Sequence, residues 1–309
     1  MATLAAVATL FRPRNEALKQ REAVTRVNQA AGRARRVRTL GAVRRGHRDA
    51  SMSAPAAATS QAALRVLCLH GYVQNGTIFR QRTGSLRKAL GSRVGDYHFV
   101  DAPHSAAGAF PETSSSAVVG DEGAERGEAQ APEELDVRGW WNSGENAAAT
   151  ATSEGWVRPS QSKRAVGVDA SLSLLVETLR KDGPFDGILA FSQGAAMGAL
   201  LLAHVHESGI AATLHLPRFA ILVAGFLPYD EDLQRIMAVG LPLCTAQTAV
   251  LCVSGTEDKL VPPERVGELV NSFKTEGPRL QLFSHSGGHG IPSNAAFRNT
   301  VKAFIDAQT

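Results

Sequence analysis

Cysteine is scarce in this chain: there are three among 309 residues. They are Cys68, Cys244 and Cys252, and they lie in apolar runs. An odd number of cysteines without Cys-x-x-Cys spacing excludes a disulfide scaffold and a cysteine-based metal site. We therefore expect three buried thiols in a protein of a reducing compartment.

Long hydrophobic runs are also missing. The longest apolar stretch, residues 187–205, is interrupted by polar side chains and falls short of a membrane-spanning helix. The short apolar start of the chain has no positive segment before it, which argues against a secretory signal. We therefore expect neither an integral membrane span nor secretion.

Acidic residues are scarce only at the beginning of the chain. Up to Ser51 there are 12 Lys and Arg residues and 3 acidic residues, a net charge of +9, whereas the remainder carries −5. A protein that follows nucleic-acid phosphates needs its basic residues on the folded body, so the sequence predicts no nucleic-acid partner. The sequence makes no prediction about the oligomeric state.

Residues 1–60 form a basic extension before the predicted domain. Their Ala- and Arg-rich composition, with a helical pattern over residues 14–29, is typical of an organellar transit peptide. Two other interpretations stay open: a disordered basic arm, and upstream sequence before a true translation start at Met52. A transit peptide predicts a mitochondrial or plastid location, and a start at Met52 predicts a cytoplasmic one.

From residue 61 onward, short β-rich runs alternate with helical patterns, and several runs are apolar on both faces. Such runs are typical of parallel strands covered by helices on both sides of a sheet. The sequence therefore predicts an α/β fold with a mostly parallel, doubly wound sheet in a single domain, residues 61–309. The predicted strands cover residues 64–69, 97–100, 187–191, 219–225, 249–254 and 280–284, and the predicted helices cover residues 80–90, 168–180, 194–207, 263–272 and 295–307.

Residues 105–136 interrupt this alternation. They are rich in Ala, Gly, Ser, Pro and acidic residues and show almost no aliphatic periodicity, so the sequence predicts a mobile insertion loop. The paired tryptophans Trp140 and Trp141 follow this loop. Paired indoles of this kind either line an acyl pocket or anchor the core, and both interpretations stay open.

The strongest functional signal is the segment 187–198, an apolar run followed by a turn of small residues and an Ala-rich helix. Within it, Ser192 stands between Ala190 and Gly194, which is the spacing of a nucleophile elbow. This turn needs small residues two positions before and after the serine, because strand and helix approach closely there. Ala190 stands where the pattern has glycine and adds one methyl group at a crowded point. We predict Ser192 as the nucleophile.

Two later strands end in loops that carry the residues an activated serine requires. One apolar run is followed by Glu257 and Asp258, and the last is followed by His285 and a glycine-rich loop with His289. In α/β-hydrolases the acid and then the histidine follow the serine in chain order. We predict Asp258 as the acid and His289 as the base, with Glu257 and His285 as the adjacent alternatives.

A glycine turn, His70-Gly71-Tyr72, follows the first predicted strand. An oxyanion hole needs two N–H donors at about 3 Å from the developing negative charge. The backbone amides of Tyr72 and Gln193 are the best candidates, because the first lies in this turn and the second follows the predicted nucleophile. We interpret His70 as a structural histidine rather than as a second base.

The chain from about residue 64 to residue 305 resembles the FSH-type serine hydrolases. Many motifs in one order make this resemblance specific. The motifs that carry it are Leu67-Cys68-Leu69-His70-Gly71-Tyr72, Phe79-Arg80, Thr83-Gly84, Asp101-Ala102-Pro103-His104, Arg138-Gly139-Trp140-Trp141, Gly183-Pro184-Phe185-Asp186-Gly187, Phe191-Ser192-Gln193-Gly194, Ser254-Gly255, Val261-Pro262 and Ser286-Gly287-Gly288-His289.

The resemblance implies an α/β-hydrolase without metal or organic cofactor that acts on a small-molecule carboxylic ester or thioester through an acyl-enzyme. It also implies Ser192 as nucleophile, Asp258 as acid and His289 as base. The chain departs from the family pattern at Ala190 and in the length of the insertion loop. Two alternatives stay open: an acyl-protein thioesterase, and a binding protein that keeps the hydrolase fold without turnover.

Overall fold

A sheet of six parallel strands lies at the centre of the computed structural model, which describes residues 63–106, 136–148, 157–275 and 277–309. Two further pairs of two-residue strands are antiparallel. In chain order the strands of this described part are β1 (Leu64–Leu69), β2 (Val94–Val100), β3 (His104–Ser105), β4 (Arg138–Gly139), β5 (Asn142–Ser143), β6 (Ala165–Val166), β7 (Gly187–Phe191), β8 (Phe219–Val223), β9 (Ala249–Gly255) and β10 (Leu280–His285).

The spatial order of the central sheet is β10-β9-β8-β7-β1-β2. The chain runs outward from β1 to one edge, returns to β7 and then continues strand by strand to the other edge. This order, with every neighbouring pair parallel, confirms the predicted mostly parallel, doubly wound sheet. In such a sheet the loops at the carboxyl ends of the strands meet at one edge, which is where these folds bind ligands.

Helices follow the strands and cover the sheet. In chain order those of the described residues are α1 (Gly76–Arg82), α2 (Gly84–Leu90), α3 (Val168–Lys181), α4 (Gln193–Glu207), α5 (Glu231–Cys244), α6 (Pro263–Ser272) and α7 (Ala295–Asp306), with short 3-10 turns at Gly91–Arg93, Gly144–Ala148 and Ile210–Thr213.

Two layers of buried apolar side chains join these helices to the sheet. Alternate residues of β1 point to opposite faces: Leu67 and Leu69 pack with helices α3 to α6, whereas Val66 and Cys68 pack with α1, α2 and α7. Burial on both faces explains why the central strands are apolar throughout rather than alternating. Cys68, Cys244 and Cys252 are buried free thiols, as expected, and burial raises the pKa of Cys244 and Cys252 to about 12.

The elements differ from the sequence expectations in several places. Strand β2 begins at Val94 rather than at residue 97, β8 ends at Val223 rather than at residue 225, and the short strands β3 to β6 have no counterpart among the predicted elements. The predicted helix 80–90 is two helices that meet at Thr83, whose hydroxyl group donates to the Phe79 carbonyl at 2.9 Å. Helix α5 was not expected at all. Its signal was present, because Asp230 caps its first amides and Leu233, Met237 and Leu241 follow at helical spacing.

The described residues from 63 onward belong to one compact unit. The predicted extension, residues 1–60, lies outside the described residues, and so does residue range 107–135 of the predicted insertion loop. The two flanks of that loop pair with each other as β3 and β4. No helix in the described part is both long and apolar enough to cross a bilayer.

Candidate active site

Ser192 occupies a sharp turn between a buried strand and a buried helix. Strand β7 ends at Phe191 and helix α4 begins at Gln193, so one residue makes the whole turn. Ser192 has φ 54° and ψ −119°, a conformation that costs a non-glycine residue free energy. Its N–H donates to the Val223 carbonyl at 2.8 Å, which ties the turn to the neighbouring strand. This is the geometry of a nucleophile elbow.

The small residues around Ser192 lie in different steric environments. A Cβ at Gly194 would lie 2.3 Å from the His70 carbonyl oxygen, so only glycine fits there. Ala190 is fully buried, and Gly198 stands opposite its methyl group. A Cβ at Gly198 would lie 3.6 Å from the Ala190 Cβ, which is an ordinary contact distance. The methyl group of Ala190 thus faces Gly198, where the space for a further methyl group remains.

Three predicted site residues come together at the carboxyl edge of the sheet. The Ser192 Oγ lies 3.0 Å from His289 Nε2, and His289 Nδ1 lies 2.7 Å from Asp258 Oδ2. The second oxygen of Asp258 accepts the N–H groups of Leu260 and Val261 at 2.9 and 2.8 Å. Asp258 is 3% exposed, so its carboxylate is buried with partners on both oxygens.

The adjacent alternatives, Glu257 and His285, take other positions. His285 ends strand β10, and its Nδ1 accepts the N–H of Gly287 at 3.1 Å; burial lowers the pKa of its imidazole. Glu257 is exposed, and its backbone N–H donates to the Gly287 carbonyl at 3.2 Å. The Thr256 N–H also donates to the His285 carbonyl at 2.8 Å, so backbone hydrogen bonds join the acid loop to the histidine loop. The hydrogen-bond partner of Ser192 Oγ is His289 and not His285.

The loop after β1 approaches the elbow closely. A Cβ at Gly71 would lie 2.9 Å from the Phe191 ring and 3.5 Å from the Ser192 Cβ, so the backbone before Tyr72 passes directly beside the serine. Gln74 Oε1 accepts the Gly71 N–H at 3.3 Å and holds this turn. The N–H of Gln193 belongs to the first turn of α4, where backbone donors have no intrahelical acceptor.

His70 is enclosed beneath that loop. Its Nε2 accepts the N–H of Ala102 at 3.0 Å, so the ring proton lies on Nδ1 and is donated to the Gly71 carbonyl at 2.7 Å. Burial lowers the pKa of this imidazole, which favours the neutral form. With both ring nitrogens occupied, His70 has the structural position that the sequence predicts.

Trp140 and Trp141 have no exposed surface, so neither indole lines an open pocket in this structure. Both belong to the hydrophobic core, and their indole N–H groups donate to the carbonyls of His70 and Pro159. Of the two interpretations left open by the sequence, the core anchor is the one that agrees with this placement.

The sequence missed the side-chain role of Gln193. This side chain is 2% exposed; its Oε1 accepts the Trp140 N–H and its Nε2 donates to the Trp141 carbonyl, both at 2.8 Å. A signal was available, because a glutamine in an otherwise apolar and small-residue segment must satisfy its amide when it is buried.

The described residues contain no group of three or more His, Cys, Asp or Glu side chains placed to hold a metal ion. An open cavity of about 640 Å³ is lined by Lys163, Arg164, Tyr229 and four charged residues around the start of α5. None of the predicted site residues lines this cavity.

Known proteins are similar to this chain in sequence. The family model described as serine hydrolase (FSH1) matches residues 59–301. The chain is 36% identical over 252 residues to the Homo sapiens protein named esterase OVCA2, a match that covers 80% of this chain and 97% of that protein. It is 35% identical over 248 residues to the Danio rerio protein of the same name, with 78% and 96% covered.

Solved structures share the fold. Zea mays acyl-protein thioesterase 2 superimposes with a TM-score of 0.52 at 17% identity, covering 81% of this chain and 95% of that one. The structure of esterase PE8 gives a TM-score of 0.51 at 18% identity, with 82% and 96% covered. At these identities the likeness concerns the α/β-hydrolase fold alone.

Proposed function

The chain belongs to the FSH1 family of serine hydrolases, and from this premise we propose that it cleaves carboxylic esters through an acyl-enzyme intermediate on Ser192. One observation supports the proposal most: the line of hydrogen bonds from Asp258 through His289 to Ser192, at 2.7 and 3.0 Å. A serine hydroxyl group is a weak nucleophile unless a base within hydrogen-bond reach accepts its proton.

In the proposed first step, the Ser192 Oγ attacks the carbonyl carbon of the ester while His289 Nε2 takes the hydroxyl proton. The tetrahedral intermediate then collapses, and the imidazolium returns this proton to the leaving alkoxide, which departs as the alcohol. Asp258 accepts the Nδ1–H of His289 throughout, which holds the ring in the required tautomer and stabilises its positive charge. In the second step, water attacks the acyl carbon while His289 Nε2 takes a proton from it. The intermediate then collapses, the C–Oγ bond breaks, the imidazolium returns the proton to Ser192 Oγ, and the carboxylic acid is released.

The negative charge on the tetrahedral carbonyl oxygen needs donors that are already in place. We assign this role to the backbone amides of Tyr72 and Gln193. The second lies at the start of a 15-residue helix, where the helix dipole also favours a negative charge.

Esters are the preferred substrate class because the similar relatives are named esterases. The same serine chemistry also transfers acyl groups from thioesters, and one protein of the same fold is an acyl-protein thioesterase. Thioester cleavage is therefore the second candidate. A hydrolase-fold binding protein without turnover is the third candidate. Covalent labelling of the serine by an activity probe would exclude it.

The test combines a fluorophosphonate probe with a panel of p-nitrophenyl esters of rising chain length and the matching acyl thioesters. We expect covalent labelling of the wild-type chain and none of Ser192→Ala. Ester hydrolysis, measured without the probe, should be present in wild type and absent from Ser192→Ala. Ser254→Ala is the matched control, since the Ser254 Oγ is buried without a hydrogen-bond partner among the described residues. Turnover retained by Ser192→Ala, or a wild-type chain that does not react, would contradict the proposal.

A further inference from the structure

Residues 138–141 connect the two loops that carry the proposed oxyanion donors. On one side, the Val73 N–H donates to the Arg138 carbonyl at 2.9 Å, and the Arg138 N–H donates to the Gln74 carbonyl at 2.7 Å. Val73 has φ 57°, a strained conformation for a β-branched residue, and it lies at the point where the loop after β1 is hydrogen-bonded to Arg138. We call residues 138–141 the strap.

On the other side, the strap is bound to the nucleophile elbow. The Gln193 side chain binds both the Trp140 N–H and the Trp141 carbonyl at 2.8 Å. The Trp140 indole N–H donates to the His70 carbonyl at 2.8 Å, two residues before Tyr72. Each of these groups is fully or almost fully buried, so the hydrogen bonds do not compete with water.

Gly139 fills the space between the two loops. A Cβ at this position would lie 2.6 Å from the Tyr72 ring and 3.3 Å from Gln193 Oε1. The strap backbone therefore lies close to both Tyr72 and Gln193, and a side chain at this position would clash with the Tyr72 ring and crowd the Gln193 amide.

We propose that the strap sets the separation of the Tyr72 and Gln193 amides, and that the Trp140 indole and the Gln193 side chain are positioning residues for the oxyanion. This proposal rests on the proposed function, ester hydrolysis at Ser192. Donors stabilise an oxyanion only when they lie about 3 Å from its position in the transition state, and small displacements reduce the rate strongly. The buried tryptophan thus has a role in catalysis without touching the substrate.

The chain supplies a matched pair of variants. Trp140 and Trp141 are neighbours, both fully buried, and each donates its indole N–H to one backbone carbonyl. Only the Trp140 acceptor, His70, leads into the loop with Tyr72; the Trp141 acceptor is Pro159. Trp140→Phe and Trp141→Phe therefore remove the same N–H group and the same volume. They differ in the segment that loses its hydrogen bond: the loop after β1 in the first variant, and the segment around Pro159 in the second.

We expect Trp140→Phe to lower kcat by about 10-fold or more with little change in KM, since the lost positioning acts in the transition state. Affinity for an aryl trifluoromethyl ketone, whose serine adduct carries an oxyanion, should fall by a similar factor. Trp141→Phe should melt at a similarly lowered temperature but lose clearly less kcat and ketone affinity than Trp140→Phe, because its indole N–H bonds outside the loop that carries Tyr72. Equal kinetic losses in the two variants, or a Trp140→Phe chain with wild-type kcat, would overturn the proposal.

Gln193→Glu tests the other end of the strap and replaces Trp140→Phe should that variant not fold. It keeps an acceptor for the Trp140 N–H and removes the donor to the Trp141 carbonyl, so we expect kcat and ketone affinity to fall together. A folded Gln193→Glu chain with both values unchanged would contradict the role of the strap. Failure of the proposed function is distinct, because a wild-type chain without fluorophosphonate labelling would show it before any strap variant is made.

Discussion

The two halves of the candidate site are built differently. The serine half, β7 and α4, is buried along almost its whole length, and steric contacts with the loop after β1 fix its turn. The histidine half is a loop in which residues 286–288 are exposed and a few hydrogen bonds to residues 256–257 hold the backbone. A change in the serine half should therefore reduce stability, whereas a change in the histidine half should reduce activity first.

The largest effect is expected on the histidine side. We predict that His289→Ala lowers kcat/KM by about 10⁴-fold or more, since the members of a triad act as a unit. The chain should stay folded, because Asp258 keeps two backbone donors and the lost hydrogen bond costs about 1–2 kcal/mol. Steady-state kinetics with a p-nitrophenyl ester and a denaturant titration measure the two quantities.

His285→Ala is the control for this prediction, because it removes an imidazole at the end of β10, four residues before His289. We expect its kcat/KM to stay within about tenfold of wild type, since it loses only the acceptor for the Gly287 N–H. A loss as large as that of His289→Ala would make His285 the base and would refute the assignment of His289.

The second prediction concerns two glycines of the same helix. Gly194→Ala should destabilise the fold by about 3 kcal/mol, because its Cβ would lie 2.3 and 2.4 Å from the backbone oxygens of His70 and Leu69. Gly198→Ala should be neutral or stabilising by up to about 1 kcal/mol, because a methyl group there makes contacts of 3.5–3.6 Å and alanine favours the helix. Urea unfolding of both variants checks the pair; equal stabilities would mean that the elbow is not held by close packing.

The smallest effect is expected at Ala190, also in the serine half. Ala190→Gly should reduce stability by about 1 kcal/mol through added unfolded-state entropy and a lost buried methyl group. Its kcat/KM should remain within a few-fold of wild type, because the methyl group faces Gly198, where space for a methyl group remains. A loss of activity above about 100-fold would show that the Ala190 methyl group positions Ser192, contrary to this account.

Much of this site could be predicted because its signals are local in sequence. The strained turn at Ser192 needs small neighbours within two residues on each side. An apolar strand that is followed by an acidic residue or a histidine can likewise be recognised from its own segment of sequence, without knowledge of the other site residues. The central strands could be predicted for the same reason, since burial on both faces leaves an apolar run. Local patterns therefore gave the order of the strands along the chain and the residues at their ends.

The contacts that join distant segments could not be predicted in this way. Gln193 binds residues that lie 52 and 53 positions away, and the choice between an indole that lines a pocket and one that anchors the core depends on that contact. The same holds for Ala190, whose effect depends on Gly198 across the strand–helix interface. Helix α5 was missed for another reason: its cap and apolar spacing are visible in the sequence, but Gly240 and Pro242 near its end lower its helix propensity.

The measurement that tests the central claim most directly is the isolation of the acyl-enzyme. Rapid acid quenching during turnover of a p-nitrophenyl ester, followed by peptide mass spectrometry, locates the acyl group. This account predicts a burst of nitrophenol in proportion to enzyme and the acyl mass on the peptide that carries Ser192, with neither in Ser192→Ala. An acyl group on any other residue, or hydrolysis that persists in Ser192→Ala, would contradict it.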